Sequence, residues 1–184
     1  KMYIVGRSGD DVNEYALSTA WDITTASFTD TLSGLGSSPA SEGNPYGMYI
    51  SPDGIYFYLV GHSTDQVIQY TMSTAWDIST ASHDYAIELP YINYYEGESV
   101  PTSICFSSDG LKLFISGTDE DQVVKYSLST AWDLKTANFP DHSDFFAVEN
   151  FVDTDSGRSV CFSENGTKMY IYLHGSSYDI LGYT

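Results

Sequence analysis

Apolar residues along this chain fall in short runs rich in Val, Ile, Tyr and Phe, separated by clusters of Gly, Ser, Asp and Asn, a pattern that predicts strands joined by tight turns. Runs at 47–51, 103–107 and 159–163 are each followed by an Asx-Gly pair: Asp53-Gly54, Asp109-Gly110 and Asn165-Gly166. Such a pair adopts the positive φ angles of a two-residue hairpin turn, so the next run, at 56–60, 112–116 or 168–172, folds straight back as a second strand. The chain opens on the counterpart of that second strand, at 1–5. A polar turn carrying Asp11, Asp65 or Asp121 leads into a third strand at 12–17, 67–72 and 123–128. Apolar residues occupy both faces of the second and third strands, as in a sheet sandwiched between two neighbours.

After the third strand the segment Ser-Thr-Ala-Trp-Asp recurs, with its indole at Trp21, Trp76 and Trp132, 55 and then 56 residues apart. Ser or Thr ahead of a short run without Gly or Pro predicts a capped single helical turn that presses the indole against an adjacent sheet. The three tryptophans, together with Gly54, Gly110 and Gly166, are therefore read as structural residues of a repeat. Fourth-strand candidates such as 81–89 are the least regular part of each copy and suit an outer edge. Four copies align on Tyr15, Tyr70, Tyr126 and Tyr183, with boundaries near 1–46, 47–102, 103–158 and 159–184. A repeat of this length and content predicts an all-β protein, a β-propeller of about four blade equivalents of four-stranded antiparallel sheet, forming one domain over 1–184.

The pattern Phe-Ser-x-(Asp/Asn)-Gly, an apolar strand, then Gly-x-x-x-Asp-x-Val resembles the blade consensus of WD40, NHL and YVTN-type propellers. The added Ser-Thr-Ala-Trp-Asp-Ile-(Ser/Thr)-Thr-Ala-Ser element is similar to repeats in uncharacterised propeller proteins of marine phages and bacteria. The likeness covers nearly the whole chain. It implies a phage virion appendage or a secreted surface protein, and so an extracellular or virion-surface location. Propellers host binding scaffolds, enzymes and adhesins alike, so it implies a fold more than a chemistry.

The first copy lacks its first strand and the last stops after its third, giving 14 expected strands with incomplete blades at both ends. Joining the two termini in one blade would put a second strand directly after a third. An open arc would leave apolar faces and strand edges in water. The expectation is a piece of a longer propeller, or an arc closed by another chain as in a homo-oligomer. The lack of an initiator Met favours the first.

Charge narrows the partners: 25 acidic residues face 7 basic ones, for a net charge of −18. That surface repels nucleic-acid phosphates and anionic membranes, which argues against both partner classes and against membrane insertion, and suits a saline habitat. Cys105 and Cys161 hold the same position of the first strand in successive copies; they are expected to lie too far apart for a disulfide and to be small buried residues. Asn165-Gly-Thr167 matches a glycosylation pattern that its hairpin position already explains. His62, His83, His142 and His174 lack zinc-ligand spacing, and there is no nucleophile elbow or phosphate loop.

The loops leading to each first strand are the first place to look for a ligand site. The loop at 31–45 is rich in Gly and Ser and reads as adaptable. In the loop at 90–101, Tyr91, Tyr94 and Tyr95 beside Glu96 and Glu98 form a candidate carbohydrate-binding edge, with rings to stack on a sugar and acids to accept its hydroxyls. In the loop at 140–157, Asp153 and Asp155 could offer oxygens to Ca²⁺, as could 119–121, although neither has EF-hand spacing. No other cofactor is implied. The favoured expectation is a non-enzymatic binding or structural module contacting glycans or proteins through these loops. The alternative is a Ca²⁺-dependent hydrolase or lactonase-like propeller; the first-strand starts, Tyr46, Thr102 and Arg158, are a poor metal set for it.

Overall fold

The computed structural model describes residues 1–89, 100–118, 122–139, 144–147, 156–174 and 179–184. Strands β1 (Met2–Gly6), β2 (Asp11–Leu17) and β3 (Ala26–Leu32) form the first sheet. The second is complete, with β4 (Pro45–Ile50), β5 (Tyr56–Gly61), β6 (Gln66–Met72) and β7 (Ala81–Glu88) in order. The third runs β8 (Pro101–Phe106), β9 (Lys112–Gly117), β10 (Gln122–Leu128) and then β11 (Ala137–Asn138), with β12 (Phe145–Ala147) also on β10. The fourth is β13 (Ser156–Phe162), β14 (Met169–His174) and β15 (Ile180–Tyr183). Every strand pairs antiparallel with its neighbour, as hairpin connections require.

The described residues hold fifteen strands, where fourteen are expected. The extra one arises because the third blade's outer edge is broken: Ala137 and Asn138 pair with one end of β10, and Phe145 to Ala147 with the other. Pro140, which has no N–H to give a ladder, falls between them in sequence. A second difference concerns the turn before each third strand. Asp65 has left-handed φ (51°), and its equivalent is Asp10 (48°), not Asp11. Each offers its carbonyl to the segment after the fourth strand, Asp10 to the Leu35 N–H and Asp65 to the Leu89 N–H.

The sheets stack face to face and bury the core between them. Val12, with Tyr3 and Val5 against it, meets Phe57, Leu59 and Ile68; Tyr58, Val60 and Val67 meet Ile104, Leu113, Ile115 and Tyr126; Val123 meets Val160, Ile171 and Leu173. The innermost strands nearly touch. A Cβ on Gly47 of β4 would sit 2.8 Å from the Thr102 carbonyl oxygen of β8, and Ser103 Oγ accepts the Val160 N–H of β13 at 3.1 Å. Bare backbone at position 47 therefore permits the inner edges to converge as the spokes of a propeller do.

The Trp-Asp-Ile segments form one turn of 3₁₀ helix, at Ile23–Thr25, Ile78–Thr80 and Leu134–Thr136. The cap is the aspartate, not the preceding Ser or Thr: Asp22, Asp77 and Asp133 accept the N–H of Thr24, Ser79 and Lys135. Each Trp before the cap is left-handed, with φ of 64–66°. That kink lays Trp76 and Trp132 over the hairpin glycine of their own blade, where a Cβ on Gly54 or Gly110 would fall 2.5 or 2.3 Å from the indole. Trp21 departs from the packing role expected of it. It is 97% exposed, because the first sheet offers no hairpin glycine beneath it, and Gly166 correspondingly has open space above it.

The same segment joins neighbouring blades. Tyr3 Oη donates to the Trp76 carbonyl at 2.6 Å, Lys1 Nζ reaches that oxygen at 2.8 Å, and Tyr58 Oη donates to the Trp132 carbonyl. One residue further on, the Ile78 N–H is accepted by Glu14 Oε2 (3.0 Å) and the Leu134 N–H by Gln69 Oε1 (2.8 Å). Ile78 and Leu134 are fully buried behind these contacts, each contributing about 2–3 kcal/mol of apolar burial.

Candidate functional site

The first strand of each complete hairpin begins with a β-bulge. Its register against the second strand jumps between Pro45 and Gly47, between Pro101 and Ser103, and between Gly157 and Ser159. The positions at which the register shifts are Tyr46, Thr102 and Arg158. A bulge frees one residue from the alternation of the strand and re-aims it, and three in register at one end of the innermost strands mark a common mouth.

The same pairings place a second row beside the first. Pro45 faces Gly61, Pro101 faces Gly117, and Ser156 faces His174. Past those glycines come His62 and Thr118, whose N–H groups donate to the Asn44 and Val100 carbonyls at 3.1 and 3.2 Å. Arg7 follows Gly6 at the equivalent place in the first blade. By backbone position, Arg7, His62, Arg158 and His174 fall at this end of the strands, while the five lysines lie elsewhere in the repeat.

Arg7 is the best-defined member. Its Nε donates to Asn44 Oδ1 at 3.2 Å and its Nη1 to Tyr46 Oη at 2.9 Å, and the guanidinium lies 5.5 Å from the centre of the Tyr46 ring. Asn44 Nδ2 in turn donates to Ser63 Oγ at 2.9 Å. This fixes an exposed, permanently charged fork whose other N–H groups can take a carboxylate or phosphate in bidentate fashion.

Beneath it, Glu42 is fully buried and holds the surrounding loops together. Oε1 accepts the N–H groups of Asn44 (2.9 Å) and Ser63 (3.0 Å), and Oε2 accepts the Thr64 N–H (3.2 Å) and hydroxyl (2.9 Å). With Leu35 and Ala40 also buried, the loop at 31–45 is a pinned wall, which corrects its reading as an adaptable segment.

The other sequence candidates distribute differently. Tyr91, Tyr94, Tyr95, Glu96 and Glu98, and likewise Asp153, Asp155, 119–121 and His142, lie outside the described residues. His83 packs edge-on against Tyr70 within the second blade, away from the mouth. Among the described residues no three metal-ligating side chains come together. The Arg7 guanidinium and the Tyr46 hydroxyl at the mouth do not fit Ca²⁺, which needs several carboxylate or carbonyl oxygens.

Cys161 is exposed, against the expectation of burial. Cys105 is partly buried, and burial, with Cys161 nearby, pushes its thiol up to about 12. The two cysteines line a cleft of about 500 Å³ at the hairpin end of the blades, with Phe114, Phe162, Lys112 and Gly166. Its walls are the counterparts of Tyr49, Tyr58 and Gly110, which enclose the Trp132 indole one blade earlier.

No protein-family model and no curated protein matches the sequence. Solved structures do. A protein from Lactobacillus plantarum aligns over 99% of this chain and 50% of its own, with a TM-score of 0.65 at 18% identity. A candidate 6-phosphogluconolactonase from Bacteroides uniformis aligns over 98% of this chain and 51% of its own (TM-score 0.59, 14% identity), and another from Bacteroides fragilis over 94% and 48% (0.57, 12%). The fold is that of a β-propeller. The chain spans about half the length of these structures. The presence of candidate lactonases among them corrects the expectation of a non-enzymatic module, which rests on seeking catalytic groups at the first-strand starts alone; the histidines stand one row further out.

Proposed function

We propose that the chain is part of a lactonase-like propeller that opens the ring of an anionic sugar-acid lactone at the mouth bearing Tyr46, Thr102 and Arg158. The observation that carries this reading is the arginine fork at the bulge, Arg7 on Asn44 and Tyr46, with the His62 N–H held by the Asn44 carbonyl, in a chain otherwise dominated by acidic residues. The names of the two Bacteroides neighbours support the same substrate class.

In such a reaction Arg7 holds the phosphate or carboxylate of the substrate by charge-assisted hydrogen bonds. The Tyr46 hydroxyl, which already accepts from Arg7, keeps its own proton to donate to the lactone oxygen. His62 takes a proton from the attacking water; the new C–O bond forms at the carbonyl carbon, the ring C–O bond breaks, and the proton passes to the departing alkoxide. Each role needs only this chain's own side chains.

The test is acid release from 6-phosphogluconolactone and from glucono-δ-lactone by the protein in its native assembly. Acceleration above the buffer rate, with preference for the phosphorylated lactone, is the expected result. Arg7→Ala should raise KM at least tenfold with a smaller effect on kcat, the mark of lost substrate binding. Hydrolysis of both lactones at the buffer rate would overturn the proposal.

A further inference from the structure

The turn that follows Arg7 in the first blade and the turn that follows His62 in the second are tied together by one residue. The Glu42 N–H donates to the Leu35 carbonyl at 2.7 Å, and the Leu35 N–H donates in turn to the carbonyl of Asp10, three residues after Arg7, at 3.2 Å. The Glu42 side chain takes the N–H groups of Ser63 and Thr64, the two residues after His62. Its Oε1 also accepts the Asn44 N–H. Asn44 is the residue whose side chain accepts from Arg7 Nε and whose carbonyl accepts the His62 N–H.

The position suits a carboxylate. Four donors converge on the two oxygens of Glu42: three backbone N–H groups and the Thr64 hydroxyl. An amide in its place would turn an NH₂ group against at least one backbone N–H. The surrounding chain closes tightly on it. A Cβ on Gly61 would fall 2.6 Å from Glu42 Cδ and 2.4 Å from the Asn44 carbonyl oxygen. Ser41, the residue before, takes a left-handed φ of 56°, an uncommon conformation for a serine, where the loop delivers Glu42 inward. The arrangement is particular to this joint, because the residue ahead of the first strand is Asn44 in the second blade and Val100 in the third, whose side chain has no acceptor.

We propose that Glu42 is the positioning residue of the anion site, holding Asn44 so that the Arg7 fork is aimed before the anion arrives. The inference rests on the reading of the mouth as the place where the anionic group of the substrate binds. Aiming the guanidinium in advance removes the cost of ordering it on binding. The consequence has the opposite sign to that of charge alone. A carboxylate beneath the site repels an anion, so neutralising it would by itself tighten binding, whereas losing the positioning loosens it.

The test is calorimetric titration of the protein with 6-phosphogluconate, with the Arg7 Nε–H resonance followed in parallel. The chain has two arginines, so Arg7→Ala assigns the signal. Glu42→Gln should weaken binding about tenfold and move the Arg7 Nε–H resonance to the position of a free arginine. Thr64→Val, which takes one donor from Oε2 and leaves the carboxylate in place, should weaken it about two- to threefold in the same direction. Glu42→Gln combined with Asn44→Ala should lose little more than Asn44→Ala alone, since both act through one fork. Tighter or unchanged binding in Glu42→Gln, an unmoved Arg7 resonance, or fully additive losses with Asn44→Ala would each overturn the positioning role. A wild-type protein that binds no anion, with the Arg7 resonance still displaced in Glu42→Gln, would instead overturn the reading of the mouth and support the tie between Glu42 and Arg7.

Discussion

Glu14 reaches across from the first blade to accept the backbone N–H of Ile78 in the second, and does so from a position only 2% exposed. The same carboxylate accepts from Lys1 Nζ at 2.6 Å and from the Thr29 hydroxyl at 2.9 Å. Burial alone would raise its pKa, but these three donors outweigh it and hold the group below the usual carboxylate range.

The sign of the resulting pH dependence follows. A depressed folded-state value means that the contribution is complete above the unfolded value of 4.5 and is lost as pH falls through the lower folded value. Urea unfolding between pH 3 and 6 should show acid-weakened coupling of the first blade, and Glu14→Gln should flatten that dependence, since Gln69 does the same work in the second blade without a charge. Glu14→Leu should cost about 2 kcal/mol at neutral pH by leaving a buried N–H without an acceptor.

Gly110 and Gly166 have nearly the same left-handed φ, 71° and 69°. Alanine at either pays the conformational cost of about 1–2 kcal/mol. At Gly110 the new methyl also collides with the Trp132 indole, whereas at Gly166 it meets nothing. Gly110→Ala should therefore destabilise by at least about 3 kcal/mol, and Gly166→Ala by the conformational part only. Parallel denaturation curves of the two variants measure the difference.

The two thiols should react in sequence. Cys161 is exposed, while Cys105 is pushed up to about 12 by burial and by its neighbour, so little of it is thiolate at pH 8. An aromatic disulfide reagent should titrate one thiol quickly and the second at least tenfold more slowly, and Cys161→Ser should remove the fast phase.

Much of the fold is legible because its determinants are local. Asx-Gly at 53–54, 109–110 and 165–166 dictates hairpins through positive φ, and the tryptophans repeat at nearly constant spacing. The mouth is not legible in the same way. That Tyr46, Thr102 and Arg158 are bulged depends on their register against strands ten to twenty residues away, and no residue type signals it. Arg7 meets Asn44 and Tyr46, and Glu42 meets Ser63 and Thr64, only after blades and loops have come together. A signal was nonetheless present: the equivalent position at the end of the second strand reads Arg7, His62, Thr118 and His174 in successive copies, a row richer in chemistry than the first-strand starts.

The proposed function puts anion binding at the bulged mouth and not at the hairpin end of the blades. Chemical-shift mapping with 6-phosphogluconate, the hydrolysis product, tests it most directly. Saturable shifts are expected at Arg7 Nε, Asn44, Tyr46, His62 and Thr102 that vanish in Arg7→Ala, with Gly54, Gly110 and Gly166 unmoved. Shifts concentrated at those three hairpin glycines, with Arg7 and Tyr46 unchanged, would contradict it.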